Sequence, residues 1–143
     1  MEFKIQQKDL YNGINKVKRS VSNKNTLPIL TGIFIEAQKN KGLHLIATNL
    51  ELGIECWIKA DIIKEGKIVL PSQHLVNIIR ELPSKEVKFN ANMDNYKANI
   101  KCLHSEFDIK GFNPDEFPQL PEVNIPDKLV LNNKKFNNLI NEI

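Results

Sequence analysis

The sequence predicts an α+β protein in which one unit, a strand, a helix and then further strands, occurs twice. Two patterns carry this. Apolar residues alternate with polar ones over short stretches, the period of half-buried strands, and in two places they switch to helical spacing. The two switches also match residue for residue. Phe3, Ile5, Leu10, Asn12, Ile14 and Val17 align with Ile68, Leu70, Leu75, Asn77, Ile79 and Leu82 at a constant offset of 65.

Residues 3–7 form the first expected strand, with Phe3 and Ile5 on one face. Leu10, Ile14, Val17 and Val21 continue at helical spacing, and Lys8, Asn12, Asn15, Lys16 and Arg19 occupy the opposite side. Ser22 to Asn25 is a polar loop leading to Thr26-Leu27-Pro28. From Ile29 the pattern is that of strands: Ile33 and Ile35 share a face, Lys39 to Gly42 is a turn, and Leu43–Thr48 follows. Leu52, Ile54, Cys56, Ile58 and Ala60 then alternate with Glu55, Trp57 and Lys59, and Glu65-Gly66 is a further turn.

The second copy opens with Ile68-Val69-Leu70, ended by Pro71. Ser72 is the expected N-cap of a helix in which Leu75, Val76, Ile78, Ile79 and Leu82 face inward while Gln73, Asn77 and Arg80 face away. Strands follow at Val87–Ala91, Tyr96–Cys102 and around Phe107 and Ile109. The proline-rich, acidic run from Phe112 to Pro121 reads as a linker or a loop that hugs a sheet edge. A third match, at an offset of 126, comprises Leu129, Leu131, Phe136, Asn138, Ile140 and Ile143. It breaks off in mid-helix, and a strand with half a helix cannot bury its own apolar face. Residues 1–126 are therefore expected to form one domain, with half-units of about 1–66 and 67–126, and residues 127–143 to be the truncated beginning of a second.

Composition narrows the function. At 143 residues the chain has the length of one ordinary domain. No apolar run approaches the ~18 residues of a membrane span, and the opening residues lack the apolar stretch of a signal peptide. Two cysteines, Cys56 and Cys102, make neither a disulfide framework nor a zinc site, so a reducing, cytoplasmic setting is expected. The net charge of +3 is uneven. Residues 1–30 hold six cations and two acids, a local +4, whereas residues 103–126 hold five acids and Lys110, a local −4. Lysine outnumbers arginine 18 to 2, which an AT-rich genome alone would explain.

Catalytic chemistry finds little support. The glycines form no phosphate-binding loop. His44, His74 and His104 lack ligand spacing, Cys56 and Cys102 fall at inward-facing strand positions, and Asp115-Glu116 has no second acidic cluster near it. Cys102 and His104, two apart on one strand face, are the single pair from which a thiol-imidazole enzyme could be argued. No catalytic residue, cofactor or metal is expected. The helix faces carrying Lys8, Lys16, Arg19 and Arg80 could meet phosphates, but they offer no aromatic side chains for base stacking and no base-reading motif.

Four segments carry a more specific signal: Asn25-Thr-Leu-Pro-Ile-Leu30, Ala47-Thr-Asn-Leu-Glu51, Leu70-Pro-Ser-Gln-His-Leu75 with Arg80-Glu-Leu-Pro83, and Phe107-Asp-Ile109 followed by Asp115-Glu-Phe-Pro-Gln-Leu-Pro121. In this order they resemble the first domain of the bacterial sliding-clamp family, the beta subunits of DNA polymerase III, over essentially residues 1–126. The resemblance implies a clamp fold with helices on one side and antiparallel sheets on the other. It also implies a head-to-tail homodimeric ring that encircles double-stranded DNA without reading its sequence, and a non-catalytic role in tethering the polymerase. Lys24 and Gln73 match positions at which the family often contacts DNA, although the second is often arginine there. Lys16, Lys18, Arg19 and Arg80 join them as expected pore-facing residues from helix spacing. Phe107 and Ile109, with His74 near them, match the head-to-tail interface. The family's site for polymerase and clamp-loader peptides lies in domains beyond this segment. The alternative is a standalone nucleic-acid or protein-binding module of the same fold.

Overall fold

A computed structural model describes residues 1–21 and 27–119. Lys24, and the expected third copy at 127–143, lie outside the described residues.

The first strand, β1 (Glu2–Gln6), buries Phe3 and Ile5 and passes directly into α1 (Gln7–Val17). A single 3-10 turn, Lys18–Ser20, extends the helix, so Val21 falls beyond it instead of on its apolar stripe. Ser20 is fully buried, and its hydroxyl donates to the carbonyls of Val17 (3.1 Å) and Ala47 (2.6 Å), tying the helix end to the neighbouring sheet. Pro28–Thr31 is a 3-10 turn and not the start of a strand. The strands β2 (Gly32–Gln38), β3 (Gly42–Thr48) and β4 (Gly53–Ile58) then run antiparallel. The long alternation expected through Ala60 breaks after Ile58, and Asp61–Lys64 forms a separate short strand, β5.

β6 (Gly66–Pro71) leads into α2 (Ser72–Glu81), followed by β7 (Glu86–Asn92), β8 (Lys97–Cys102) and β9 (Ser105–Lys110). Pro71, not Ser72, occupies the N-cap of α2, and no side chain caps it. Proline at the strand end fixes the backbone where the chain turns into the helix.

The strands form two sheets with the orders β5-β1-β7-β8-β9 and β4-β3-β2-β6. The leading strand of each repeated strand-helix pair thus lies in the sheet made mostly by the other copy. β1 pairs with β7, and β6 pairs with β2. One continuous core fills the space between sheets and helices. Phe3 stacks on Phe89 at 4.6 Å, and Leu10, Ile14 and Val17 from α1 meet Leu75, Val76 and Ile79 from α2 in the same cluster. All ten apolar positions of the 65-residue match are buried, whereas Asn12 and Asn77 are exposed.

Gly13 sets the depth at which α1 lies on its sheet. A Cβ there would come within 3.1 Å of both Ile58 Cδ1 and Leu45 Cδ1. A glycine inside a helix costs about 1 kcal/mol against alanine, and here it permits close approach. Beyond β9 the chain crosses to the four-stranded sheet. Phe112 exchanges backbone hydrogen bonds with Val69 on edge strand β6, and Phe117 is buried with Ile29, Leu30 and Val69 on that sheet's outer face. The acidic, proline-rich run therefore meets the sheet edge at Phe112 and then lies against that sheet's outer face at Phe117. No helix among the described residues is long and apolar enough to cross a membrane.

Candidate nucleic-acid interface

α1 and α2 pack against each other, and their buried faces leave two polar faces in solvent. One internal bond fixes their relation: the buried Gln7 side chain donates from Nε2 to the carbonyl of Ile79 at 2.7 Å. Such a bond contributes about 1 kcal/mol, and the same carbonyl also accepts the Leu82 N–H at 3.3 Å.

On α1 the exposed residues are Lys8, Asp9, Asn12 and Lys16, and Lys18 and Arg19 stand exposed on the 3-10 turn that follows. Three cations therefore gather at the C-terminal end of the helix, where the peptide dipoles favour positive charge by about 0.3–1 kcal/mol each. Gln73 and His74 are exposed in the first turn of α2 and Arg80 in its last. Arg80 donates from Nη2 to Asn77 Oδ1 at 3.1 Å, which steadies the guanidinium above the helix surface.

The ion pairs are found elsewhere. Among the described residues they are Lys67–Glu36 at 4.0 Å and Lys101–Glu106 at 3.5 Å, both on the outer faces of the sheets, where His44 is also hydrogen-bonded to Glu55 at 2.8 Å. None involves Lys8, Lys16, Lys18, Arg19 or Arg80.

Phe107 and Ile109 share a face of β9, the edge strand of the five-stranded sheet. Ile109 is buried in the core, and Phe107 is half-buried against it. What β9 offers a neighbour is therefore its unpaired backbone edge and the remaining surface of Phe107, while the Ile109 side chain is already occupied.

The thiol-imidazole pair does not form. β8 ends at Cys102, and the chain turns through Leu103, whose φ is +51°. Cys102 is buried and its Sγ lies 3.5 Å from the Pro83 carbonyl, whereas His104 is exposed in the turn. Strand alternation predicts one shared face, and the turn removes it. Cys56 is half-buried with its Sγ 3.7 Å from the Gly13 carbonyl. Burial pushes its thiol up from the ordinary value, Lys16 works in the opposite direction, and Glu55 adds to the rise. Among the described residues no three His, Cys, Asp or Glu side chains are placed to hold a metal ion.

One cluster that sequence spacing does not announce lies on the outer face of the four-stranded sheet. His44 stacks on Trp57 with ring centroids 4.1 Å apart, and Lys41 Nζ lies 5.8 Å from the centre of the Trp57 ring. His44 also pairs with Glu55, and only the β3–β4 register, which sets His44 opposite Trp57, brings these residues together.

Known proteins share this sequence pattern and this fold. The family described as DNA polymerase III beta subunit, N-terminal domain, matches residues 1–121. A beta sliding clamp from Staphylococcus epidermidis is 38% identical over 98% of this chain, and one from Staphylococcus aureus is 35% identical over the same share. The chain spans 39% of the length of each. Among solved structures, the DNA polymerase sliding clamp of Bacillus subtilis superposes with a TM-score of 0.82 at 29% identity, covering 87% of this chain and 34% of that one. The DNA polymerase III beta chain of Streptococcus pneumoniae gives 0.85 at 28% identity, covering 99% of this chain and 39% of that one. With two antiparallel sheets, two helices and a family match over most of its length, the chain belongs to the DNA polymerase III beta subunit family, to whose N-terminal domain it corresponds.

Proposed function

We propose that this chain acts as the first domain of a DNA sliding clamp, a non-catalytic processivity subunit. In the complete protein the domain would form part of a head-to-tail dimeric ring around duplex DNA. The observation that carries this reading is a cluster of cations: Lys16, Lys18 and Arg19 stand together, exposed and without an ion pair among the described residues, at the end of α1. Lys16, Lys18 and Arg19 would face the phosphates, with Arg80 and the neutral Gln73 on α2 beside them and Lys24 in the adjoining loop. Lysines that meet phosphates and not base edges hold a duplex without fixing its register, because each step along the helix presents the same charge. Retention would then come from closure of the ring.

On this reading residues 1–126 are the domain and 127–143 begin the next. The edge of β9, with Phe107 and with His74 nearby, would meet the partner protomer. Contacts with polymerase and clamp loader would be made by other domains of the complete protein.

The test is fluorescence anisotropy of the purified chain with labelled duplexes of unrelated sequence over a range of salt. Weak binding, equal across sequences and falling steeply with salt, is expected. Reversing charge at Lys16, Lys18 and Arg19 should remove most of it, and each lost phosphate contact should lower the salt slope by about 0.9. Unchanged binding in that triple variant, or a preference for one sequence, would overturn the reading.

A further inference from the structure

The outer face of the five-stranded sheet carries a charge arrangement that duplex contact does not use. The strand register sets Asp61, Lys4, Lys88, Lys101 and Glu106 directly opposite one another across β5, β1, β7, β8 and β9. Like charges directly opposite on neighbouring strands are destabilising, and Lys88 has a lysine on both sides. Lys101 is relieved by Glu106 at 3.5 Å, but among the described residues neither Lys4 nor Lys88 has a carboxylate within ion-pair distance. The next row holds Lys64, Glu2, Asn90, Asn99 and Asp108, in which the Asn99 amide is committed to Glu106 at 2.9 Å and Asp108 at 2.8 Å. A shallow cleft of about 180 Å³ lies over these two rows, and Lys4, Lys88, Lys101, Asn90, Asn99 and Glu2 line it.

We propose that this cleft binds a compact, multiply charged phosphate anion of the di- or triphosphate class, centred on Lys88. Three cations span two strand spacings, roughly 10 Å, and the Asn90 amide adds a neutral donor. The ligand must be short, because carboxylates bound the positive spot: Asp61 and Glu106 end the lysine row, Glu86 precedes Lys88 on the same face of β7, and Glu2 stands in the cleft. A continuous nucleic-acid strand would run into these acids. It would also find no aromatic side chain to stack on, since the outward positions of β1, β7, β8 and β9 carry charged or amide groups.

Titration calorimetry at low salt, with inorganic tripolyphosphate as the probe, tests the site. One-to-one binding is expected, and Lys88→Gln should weaken it about tenfold or more, the loss of one charge-assisted contact. Lys88→Gln should also raise the melting temperature of the unliganded protein, because it removes both like-charge pairs. The helix-face triple reversal at Lys16, Lys18 and Arg19 should leave tripolyphosphate binding unchanged, which keeps this site separate from the proposed duplex surface. An oligothymidylate arm tests the length limit and should not compete. Absence of binding, equal binding by Lys88→Gln, a melting temperature that does not rise in that variant, or efficient competition by the oligonucleotide would each overturn the proposal.

Discussion

The helix side and the strand side of this molecule treat charge differently. On the strand side, cross-strand register decides what each charge faces, and it brings together His44–Glu55, Lys67–Glu36 and Lys101–Glu106. On the helix side, Lys16, Lys18 and Arg19 follow one another around the end of α1, where the described residues offer them no acid. The difference separates a run of cations with no acid among them from sheet faces on which carboxylates bound the cations, even where, as at Lys88, the cation itself is unpaired. It explains why a net charge of only +3 is compatible with a locally concentrated positive surface at the end of α1.

The comparison can be broken most severely by unseating the helices. Ile14 is completely buried, and Ile14→Ala should cost about 2–5 kcal/mol in urea unfolding. Gln7→Ala should cost about 1 kcal/mol, since it removes the side-chain bond to the Ile79 carbonyl between the two helices and leaves that carbonyl the Leu82 N–H at 3.3 Å. If both variants matched wild type, the helix side would not be held by the contacts described. The charged groups should behave in the opposite way. Lys16→Gln with Arg19→Gln should change stability by less than about 0.5 kcal/mol while reducing the salt dependence of duplex binding. Glu106→Gln, which removes an ion pair whose two side chains are 55% and 56% exposed, should likewise shift stability by less than about 1 kcal/mol, and without changing duplex binding. A loss of duplex binding in Glu106→Gln would erase the distinction between the two sides.

Cys56 supplies a finer test of how closely α1 is seated. Its thiol is pushed up from the ordinary value of 9.0, chiefly by burial. Site-resolved alkylation at pH 8 should therefore be slower at Cys56 than in the unfolded chain, and Gly13→Val, which forces α1 off Leu45 and Ile58, should accelerate it. The linkage sign follows from the same shift. The unfolded thiol ionises first, so this group withdraws stability as pH rises above 9.0 towards the folded-state value, and it has no effect at neutral pH.

Much of the molecule was legible because its signals are local. Period-2 and period-3.6 spacing located both helices and most strands, and the apolar positions of the match at an offset of 65 all proved to be core. The exposed positions of Lys16, Lys18, Arg19, Gln73 and Arg80 also followed from helical spacing. Local spacing failed where the chain changed direction. The alternation through Ala60 concealed the break before β5, Ser72 lost the cap position to Pro71, and the turn at Leu103 separated Cys102 from His104. Ile109 follows the alternation, but its burial means that the side chain serves the core before any interface.

The sequence by itself determined the elements, their repetition and the family, because periodicity and short motifs survive without knowledge of partners. Tertiary structure alone decided that β1 joins the strands of the second copy and β6 those of the first. Backbone edges are chemically alike, so the local pattern of either strand does not specify which edge it will meet. That choice falls to the shared core, where Phe3 stacks on Phe89 and Gly13 lets α1 settle onto Leu45 and Ile58. The same pairing aligned Lys4, Lys88 and Lys101, three residues scattered over 98 positions of sequence, into one row.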